Sequence, residues 1–468
     1  MFRIILDGIG SAMTIVANSP GPPDVAPGRL DRASLEANFS DLHPPLSRHE
    51  ARVEAERCYF CFDAPCQKAC PTAIDVPLFI RQIAAGNRSG AARTIFDSNI
   101  MGGMCARVCP TETLCEEACV RQAAEGKPVV IGQLQRFATD PAIVGGKSPY
   151  SRGTPTGKRV AIVGAGPAGL ACAHALAIAG VDSIIFEARE KSAGLNEYGI
   201  AAYKTIDDFA AREAAFILSI GGIEVKHGQA LGRDVKLDDL RRDHDAVFLA
   251  MGLGSTNKLG LPGEAEFENV VDAVDYIARL RQTKDLAALP VGRRVVVIGG
   301  GMTAIDIAVQ SKRLGAETVT MAYRRGSEQM KASDFERELA QTDGVVIRHW
   351  ARPVSLEGHA GAVSGVVFDN APESKDAAAS QGSAFRLDAD MLFTAIGQRG
   401  TPEALDGARI ELRGGRIVVD AERRTSLEKV WAGGDCVFGG QDLTVSAVED
   451  GKQAARSIIA ALELPSRL

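Results

Sequence analysis

Eight of the ten cysteines in this chain of 468 residues fall in one stretch: Cys58, Cys61, Cys66, Cys70, Cys105, Cys109, Cys115 and Cys119. Thiolates spaced so closely form disulfides, bind zinc or wrap iron-sulfur clusters. The surrounding chain reads as cytosolic, where reducing conditions keep thiols free, and this weighs against a disulfide framework. The Cys58-x-x-Cys61 pair would suit zinc. All seven histidines, however, lie outside residues 50 to 173, and the block is long for one zinc knuckle. The run C-x2-C-x4-C-x3-C-P from Cys58 to Pro71, with a second Cys-Pro at Cys109-Pro110, points instead to two 4Fe-4S clusters. Of the other two cysteines, Cys172 sits among Ala and Leu and reads as core packing. Cys436 has no second cysteine at C-x-x-C spacing and so no redox disulfide.

A second chemistry is written in glycines. Gly164, Gly166 and Gly169 follow the apolar run from Arg159 to Val163 and open a helix. Missing side chains there let the backbone approach a pyrophosphate at the helix N-terminus. Pro167 suits the first helical turn. The strand SIIFEA then reaches Glu187, whose carboxylate can accept hydrogen bonds from both hydroxyls of an adenosine ribose. Gly299, Gly301 and Ala304 repeat the pattern after Arg294 to Ile298, but the next strand, in VTMAYRRG, ends without an acid and offers Arg324 and Arg325. Guanidinium groups at that place accept a 2'-phosphate and favour NADP over NAD; the alternative is a solvated basic patch on a loop tip. Two dinucleotide sites in one chain imply a bound flavin and an exchanging nicotinamide, with the cluster domain as the exit for single electrons. Such a half-reaction runs on positioning and cofactor chemistry, so no side chain is assigned as catalytic acid or base.

The elements that must position these groups follow from pattern and composition. Residues 1 to 40 contain PGPPDVAPG and little periodicity, and read as an extended or disordered arm. Residues 41 to 150 are expected to form a helical domain, because HEARVEAERC, VPLFIRQIAAGN and GAARTIFDSN place apolar residues three or four apart. After the Gly/Ser/Pro-rich stretch from Gly145 to Lys158 the rhythm becomes strand, glycine turn, helix, which predicts two Rossmann-like α/β lobes. The flavin lobe is expected over 156–285 and 405–468, with a closing helix from about Thr444 to Leu462. The nicotinamide lobe is expected over 286–404, with Ala371 to Ser383 as a chemically silent surface loop. At about 100 to 200 residues per domain the length suits several domains. The 53 Lys plus Arg against 59 Asp plus Glu leave a net charge of -6, which argues against a polyanion-binding surface and a nucleic-acid partner. No apolar run of the roughly 18 residues a membrane span needs is present, and Asp7 interrupts the apolar start without a basic leader before it, so a membrane protein or signal peptide is not expected.

The run RCYFCFDAPCQKACPTAIDVPLFI, with MCARVCPTETLCEEACV and VIGQLQRFATD, resembles the N-terminal cluster domain of dihydropyrimidine dehydrogenase. GAGPAGL, GGGMTAID and AGGDC resemble the FAD and NADPH lobes that follow it there, which are of the glutathione-reductase type. The likeness runs from about Arg57 to the C-terminus, and the small subunit of NADPH-dependent glutamate synthase shares the architecture with different cysteine runs. The resemblance implies ligands Cys58, Cys61, Cys66 and Cys119 for the first cluster and Cys70, Cys109, Cys115 and Gln135 for the second, leaving Cys105 unligated. It implies FAD contacts at Gly164, Ala165, Gly166, Pro167, Ala168, Gly169, Glu187, Leu195, Asp435 and Thr444. Lys204 stands where the family has an arginine and loses its bidentate geometry. The implied nicotinamide contacts are Gly299, Gly300, Gly301, Met302, Thr303, Arg324, Arg325, Lys331, Ala395, Ile396 and Gly397. Because the chain lacks the FMN barrel and ferredoxin-like tail of the single-chain enzyme, it resembles the NAD(P)H-oxidising subunit of the two-subunit bacterial form. Its partner would then carry FMN, further clusters and the pyrimidine, in a cytoplasmic hetero-oligomer, a heterotetramer by the resemblance.

Overall fold

The computed structural model describes residues 2–5, 14–17, 24–146, 148–370, 384–405 and 407–465. The surface loop expected over Ala371 to Ser383 lies outside the described residues. The chain divides into two compact units, one of residues 40–257 with 398–468 and one of residues 1–39 with 258–397.

The larger unit begins with helices whose starts are set by side-chain caps. Ser47 and Glu50 form a capping box on Arg48–Glu56, Asp75 caps Val76–Ala84 with Pro77 in its first turn, and Asn87 caps Arg88–Ser98. Four further helices, Pro65–Ala69, Gly102–Val108, Val120–Glu125 and Ile131–Val144, belong to the cysteine-bearing part. It shares its core with the α/β lobe that follows, since Phe96, Ile100, Met101 and Met104 are buried in one cluster with Leu170, Phe209 and Phe216. A five-stranded parallel sheet then runs Val430–Ala432, Ala246–Leu249, Arg159–Val163, Asp182–Glu187 and Ile223–His227 in spatial order. Ala246–Leu249 is buried throughout, and Arg159–Val163 is buried from Val160 onward, as strands covered on both faces are. The helix Pro167–Ile178 packs against the closing helix Thr444–Ala461. Gly451 permits the closeness, since a Cβ there would collide with the Ala168 carbonyl.

The smaller unit repeats the topology. Its parallel sheet runs Val345–Arg348, Thr318–Ala322, Arg294–Gly299, Met391–Ala395 and Val270–Asp272, with the helix Met302–Arg313 after the central strand. An antiparallel sheet of Ala351–His359, Ala362–Asn370 and Phe385–Asp388 accompanies it.

Two features of this unit differ from the pattern reading. The strand Val270–Asp272 pairs with Met391–Ala395, so residues from Lys258 onward belong with the nicotinamide lobe rather than with the flavin lobe. Three residues are too short to show a period; the neighbouring strand recruits them. The N-terminal arm is also structured from Asp24. Val25–Ala26 pairs with Val291–Gly292, and Asp31 caps the helix Arg32–Asn38. Asn38 and Arg313 exchange hydrogen bonds at 2.9 and 3.0 Å, and Leu35 and Phe39 are buried. Proline-rich composition conceals this order because tertiary partners, not local periodicity, supply it. Among the described residues no helix is long and apolar enough to cross a membrane.

Candidate cofactor sites

Cys58, Cys61, Cys66 and Cys119 line one partly open pocket whose remaining wall includes Val76, Pro77, Ile80, Val129 and Ile131. Cys61 precedes the helix Pro65–Ala69 and Cys66 lies in its first turn, while Cys119 caps the start of Val120–Glu125, so two separate stretches supply the sulfurs. The sulfurs line the pocket rather than meet at a point. Among the described residues no three Cys, His, Asp or Glu side chains are gathered closely enough to hold a single metal ion. The Phe60 N–H donates to Cys58 Sγ at 3.4 Å, the kind of backbone donor that cluster sulfurs use. Burial pushes the Cys66 thiol up to about 12, a cost that bonding of its thiolate to iron would remove.

Cys109, Cys115 and Cys70 form the second group. The Cys109 thiol is held well above its usual range by a hydrogen bond with Cys105, then by burial, and it also feels Cys115 and Cys70. Burial raises Cys115 likewise. Cys105, which the resemblance leaves unligated, is buried one helical turn before Cys109 on Gly102–Val108. Gln135 is buried on Ile131–Val144 and donates its Nε2 hydrogen to the Gly102 carbonyl at 2.6 Å. Apolar walls, grouped thiols and a backbone donor toward sulfur suit 4Fe-4S ligation.

At the first fingerprint Gly164 has φ +100°, and a Cβ there would run into the Ala250 carbonyl. Gly169 touches the Gly164 carbonyl, and Gly194 lies against Gly166. Gly166 caps the helix Pro167–Ile178 without a side chain, so the helix's first N–H groups lie open for a phosphate. Glu187 is buried at the strand end, where Oε2 accepts from Ala165 N at 2.7 Å and Oε1 from Arg189 N at 2.8 Å. Each oxygen keeps a second lone pair for a ribose hydroxyl. Leu195 starts a short helix whose next residue, Asn196, accepts from Thr444 Oγ1 at 2.8 Å, tying it to the N-terminus of the closing helix. That helix has no side-chain cap. Burial, reinforced by Asp442, raises the Asp435 carboxyl to about 7, which marks a polar group kept from water beside the same N-terminus. Lys204 is half-buried at the end of a short 3-10 turn, Ala202–Lys204. Cys172 is fully buried, and Cys436 lies in the core donating toward the Leu249 and Gly433 carbonyls. These groups form a cradle that suits FAD. Asn196 was not singled out by the sequence reading, although its place beside Leu195 in GLNEYG was the available signal.

The second fingerprint differs in its rim. A Cβ at Gly299 would hit the Ala395 carbonyl and one at Gly300 the Tyr323 ring, whereas the space around Gly301 is open. Met302 and Thr303 begin the helix that Gly301 caps without a side chain. The Lys331 and Ala332 N–H groups donate to the Gly300 carbonyl at 3.0 and 3.2 Å, folding the loop after Tyr323 back over the glycines. Tyr323 Oη, donating to the Gln329 carbonyl at 2.6 Å, braces that loop. Arg324, Arg325 and Lys331 are exposed on it. Ala395 ends its strand opposite Gly299, and Ile396 leads to Gly397 at φ +96°. The residues expected at the flavin site all fall in the larger unit and those expected at the nicotinamide site in the smaller one.

Residues 158–451 match the family described as Pyridine nucleotide-disulphide oxidoreductase, and residues 35–146 match the domain described as Dihydropyrimidine dehydrogenase domain II, 4Fe-4S cluster. The chain is 36% identical to the small chain of glutamate synthase [NADPH] of Escherichia coli (strain K12), over 91% of this chain and 94% of that one. It is 35% identical to the NAD-dependent dihydropyrimidine dehydrogenase subunit PreT of the same organism, over 90% of this chain and 97% of that one. Among solved structures it resembles Mycobacterium tuberculosis FprA in complex with NADPH (TM-score 0.55, 21% identity, 65% of this chain and 84% of that one). It also resembles the thioredoxin reductase of T. acidophilum, with a TM-score of 0.51 and 21% identity over 65% of this chain and 98% of that one. At such identity the likeness speaks for the fold.

Proposed function

The chain belongs to the pyridine nucleotide-disulphide oxidoreductase family and is an NAD(P)H-dependent flavoprotein oxidoreductase with an iron-sulfur domain, and from this premise we propose that it is the electron-input subunit of a dihydropyrimidine dehydrogenase. When bound, FAD would take a hydride from NAD(P)H and two 4Fe-4S clusters would carry the electrons singly to an FMN-containing partner that reduces uracil or thymine at the 5,6 bond. Glu187 and the open N-terminus after Gly166 would hold the adenosine and pyrophosphate of the flavin, and Asp435, Thr444, Leu195 and Lys204 its remainder. The two groups of thiols, with Gln135 completing the second, would hold the clusters. Arg324, Arg325 and Lys331 would select a 2'-phosphate, which favours NADPH. A reducing, cytoplasmic location would suit seven thiols kept for iron.

The observation that carries the reading is the pairing of Cys58, Cys61, Cys66 and Cys119 around one apolar pocket within the stretch 35–146 that matches a dihydropyrimidine dehydrogenase domain. A second reading, an electron donor to a glutamine-dependent synthase, is favoured by the relative that is a glutamate synthase small chain. The subunit that co-purifies with the chain discriminates them: an FMN protein that binds pyrimidine supports the first, and a glutamine amidotransferase replaces it by the second. Rapid bleaching of the flavin by NADPH excludes a scaffold in which the flavin is structural. Iron near about four per chain, or zinc in its place, would sink the two-cluster assignment. Gln135→Leu should disturb one cluster while Cys105→Ser leaves both. Equal iron loss in the two variants rejects the ligand set.

A further inference from the structure

The helix Gly102–Val108 leads into Cys109, and its first N–H groups need partners that the preceding residue, Met101, does not supply. They are met from 110 residues away. Glu213, fully buried on the helix Phe209–Leu218 of the flavin lobe, accepts from Gly103 N at 2.8 Å and Met104 N at 3.1 Å with one oxygen. Gly103 has to be glycine for this, because a Cβ would lie 2.8 Å from that oxygen and 2.7 Å from the Phe209 ring. The same helix start also holds Gln135, whose amide donates to the Gly102 carbonyl. One carboxyl group therefore fixes the helix that carries Cys109 and, through Gly102, the amide of Gln135.

The surroundings show that Glu213 is not there to balance charge. Asp41 pairs with Arg136 at 2.6 Å, Arg136 with Asp140 at 3.2 Å, and Asp140 with Arg107 at 2.8 Å. Two cations already match two anions, and the Arg107 guanidinium lies over the Phe209 ring. The other oxygen of Glu213 is buried without a hydrogen-bond partner. Burial pushes the carboxyl up to about 8, against the pull of the two N–H groups and Arg107, so at neutral pH its acceptor oxygen acts largely as a carbonyl would.

We propose that Glu213 is a positioning residue for the second cluster: it reaches from the flavin lobe to cap the ligand helix and holds Cys109 and Gln135 in register. The proposal rests on the ligand set given under the proposed function. The test uses the full-length chain with its clusters loaded, comparing wild type with Glu213→Ala, Glu213→Gln and Glu213→Asp by iron content, by the electron paramagnetic resonance signal of each reduced cluster, and by iron release to a chelator. Glu213→Ala should release the second cluster's iron on the order of ten- to a hundredfold faster, with the first cluster's signal unchanged. Glu213→Gln keeps the acceptor oxygen and should restore wild-type behaviour, which a requirement for charge would not allow. If Glu213→Ala does not fold, Glu213→Asp, drawn back by one methylene, should show the same selective loss. Equal effects on both clusters, or none in a folded Ala or Asp variant, overturn the proposal. Gln135→Leu is run in parallel. If it leaves the second cluster intact while Glu213→Ala disturbs it, the ligand set fails and the cap stands; the converse removes the cap and keeps the ligand set.

Discussion

The two α/β lobes share a strand order and a glycine turn yet treat the ends of their second strands in opposite ways. In the flavin lobe the strand ends at a buried carboxylate, Glu187, already bonded to the Ala165 and Arg189 N–H groups. In the nicotinamide lobe it ends on a loop with Arg324, Arg325 and Lys331 all exposed. The first arrangement is preorganised and closed, as a cofactor that stays bound requires. The second keeps its cations solvated, so a ligand can arrive and leave without breaking internal bonds. Under the proposed function the same topology would serve retention in one lobe and exchange in the other, and the observed difference lies in burial.

The largest effect should separate the first glycine of a fingerprint from its second, a contrast both lobes share, since Gly299 is confined by the Ala395 carbonyl as Gly164 is by that of Ala250. Gly164→Ala puts a Cβ into the Ala250 carbonyl at a left-handed backbone, and it should cost about 3 to 5 kcal/mol from strain and overlap together and abolish flavin retention. Gly301→Ala meets nothing within 4 Å and should leave stability within about 1 kcal/mol while weakening coenzyme binding. Thermal unfolding and the flavin-to-protein absorbance ratio check both, and equal behaviour of the two variants would break the comparison.

Acid should act next. His174 is buried on the flavin lobe's fingerprint helix, and burial lowers its imidazole from 6.5 to about 4; the corresponding helix Met302–Arg313 has no histidine. Because its folded value lies below the unfolded one, the unfolded chain takes up the proton first, and the contribution of a neutral His174 is lost as pH falls from 6.5 toward 4. At roughly 1.4 kcal/mol per unit this reaches ~3 kcal/mol at most. Glu213 works in the opposite sense: its raised value makes its contribution present at low pH and lost as pH rises toward 8. Equilibrium unfolding of His174→Gln against wild type isolates the histidine, and any advantage of the wild type over the variant should shrink as pH falls from 6.5 toward 4.

The smallest effect is on the coenzyme. A 2'-phosphate between Arg324 and Arg325 would gain charge-assisted hydrogen bonds worth about 1.5 to 3 kcal/mol, roughly tenfold or more in affinity. Anaerobic titration should half-reduce the flavin at lower NADPH than NADH, with Arg324→Ala weakening NADPH selectively and Lys331 blunting the loss. If NADH serves equally well, the rim is a solvated patch and the contrast reduces to retention alone.

Much of this arrangement was legible along the chain, because the relevant signals are local. The spacing of Cys58, Cys61 and Cys66, the glycines at 164, 166 and 169, and Glu187 at a strand end are each set by chemistry acting over a few residues. The helices of 48–98 announce themselves through caps at Ser47, Asp75 and Asn87. The edge strand Val270–Asp272 and the helix Arg32–Asn38 carried no comparable signal, since a strand or a docked arm exists only through the partner that receives it.

The sequence by itself determined which chemistries this chain can host: thiols numerous and close enough for iron-sulfur clusters, and two glycine turns with opposite charges beyond them. Which thiols face one another, that Cys105 lies against Cys109, and that Glu213 holds the ligand helix from 110 residues away were decided only by the tertiary structure. The physical reason is range. A fingerprint acts through its own backbone, whereas a buried carboxyl gains its partners only when packing brings distant segments together and excludes the water that would otherwise satisfy them.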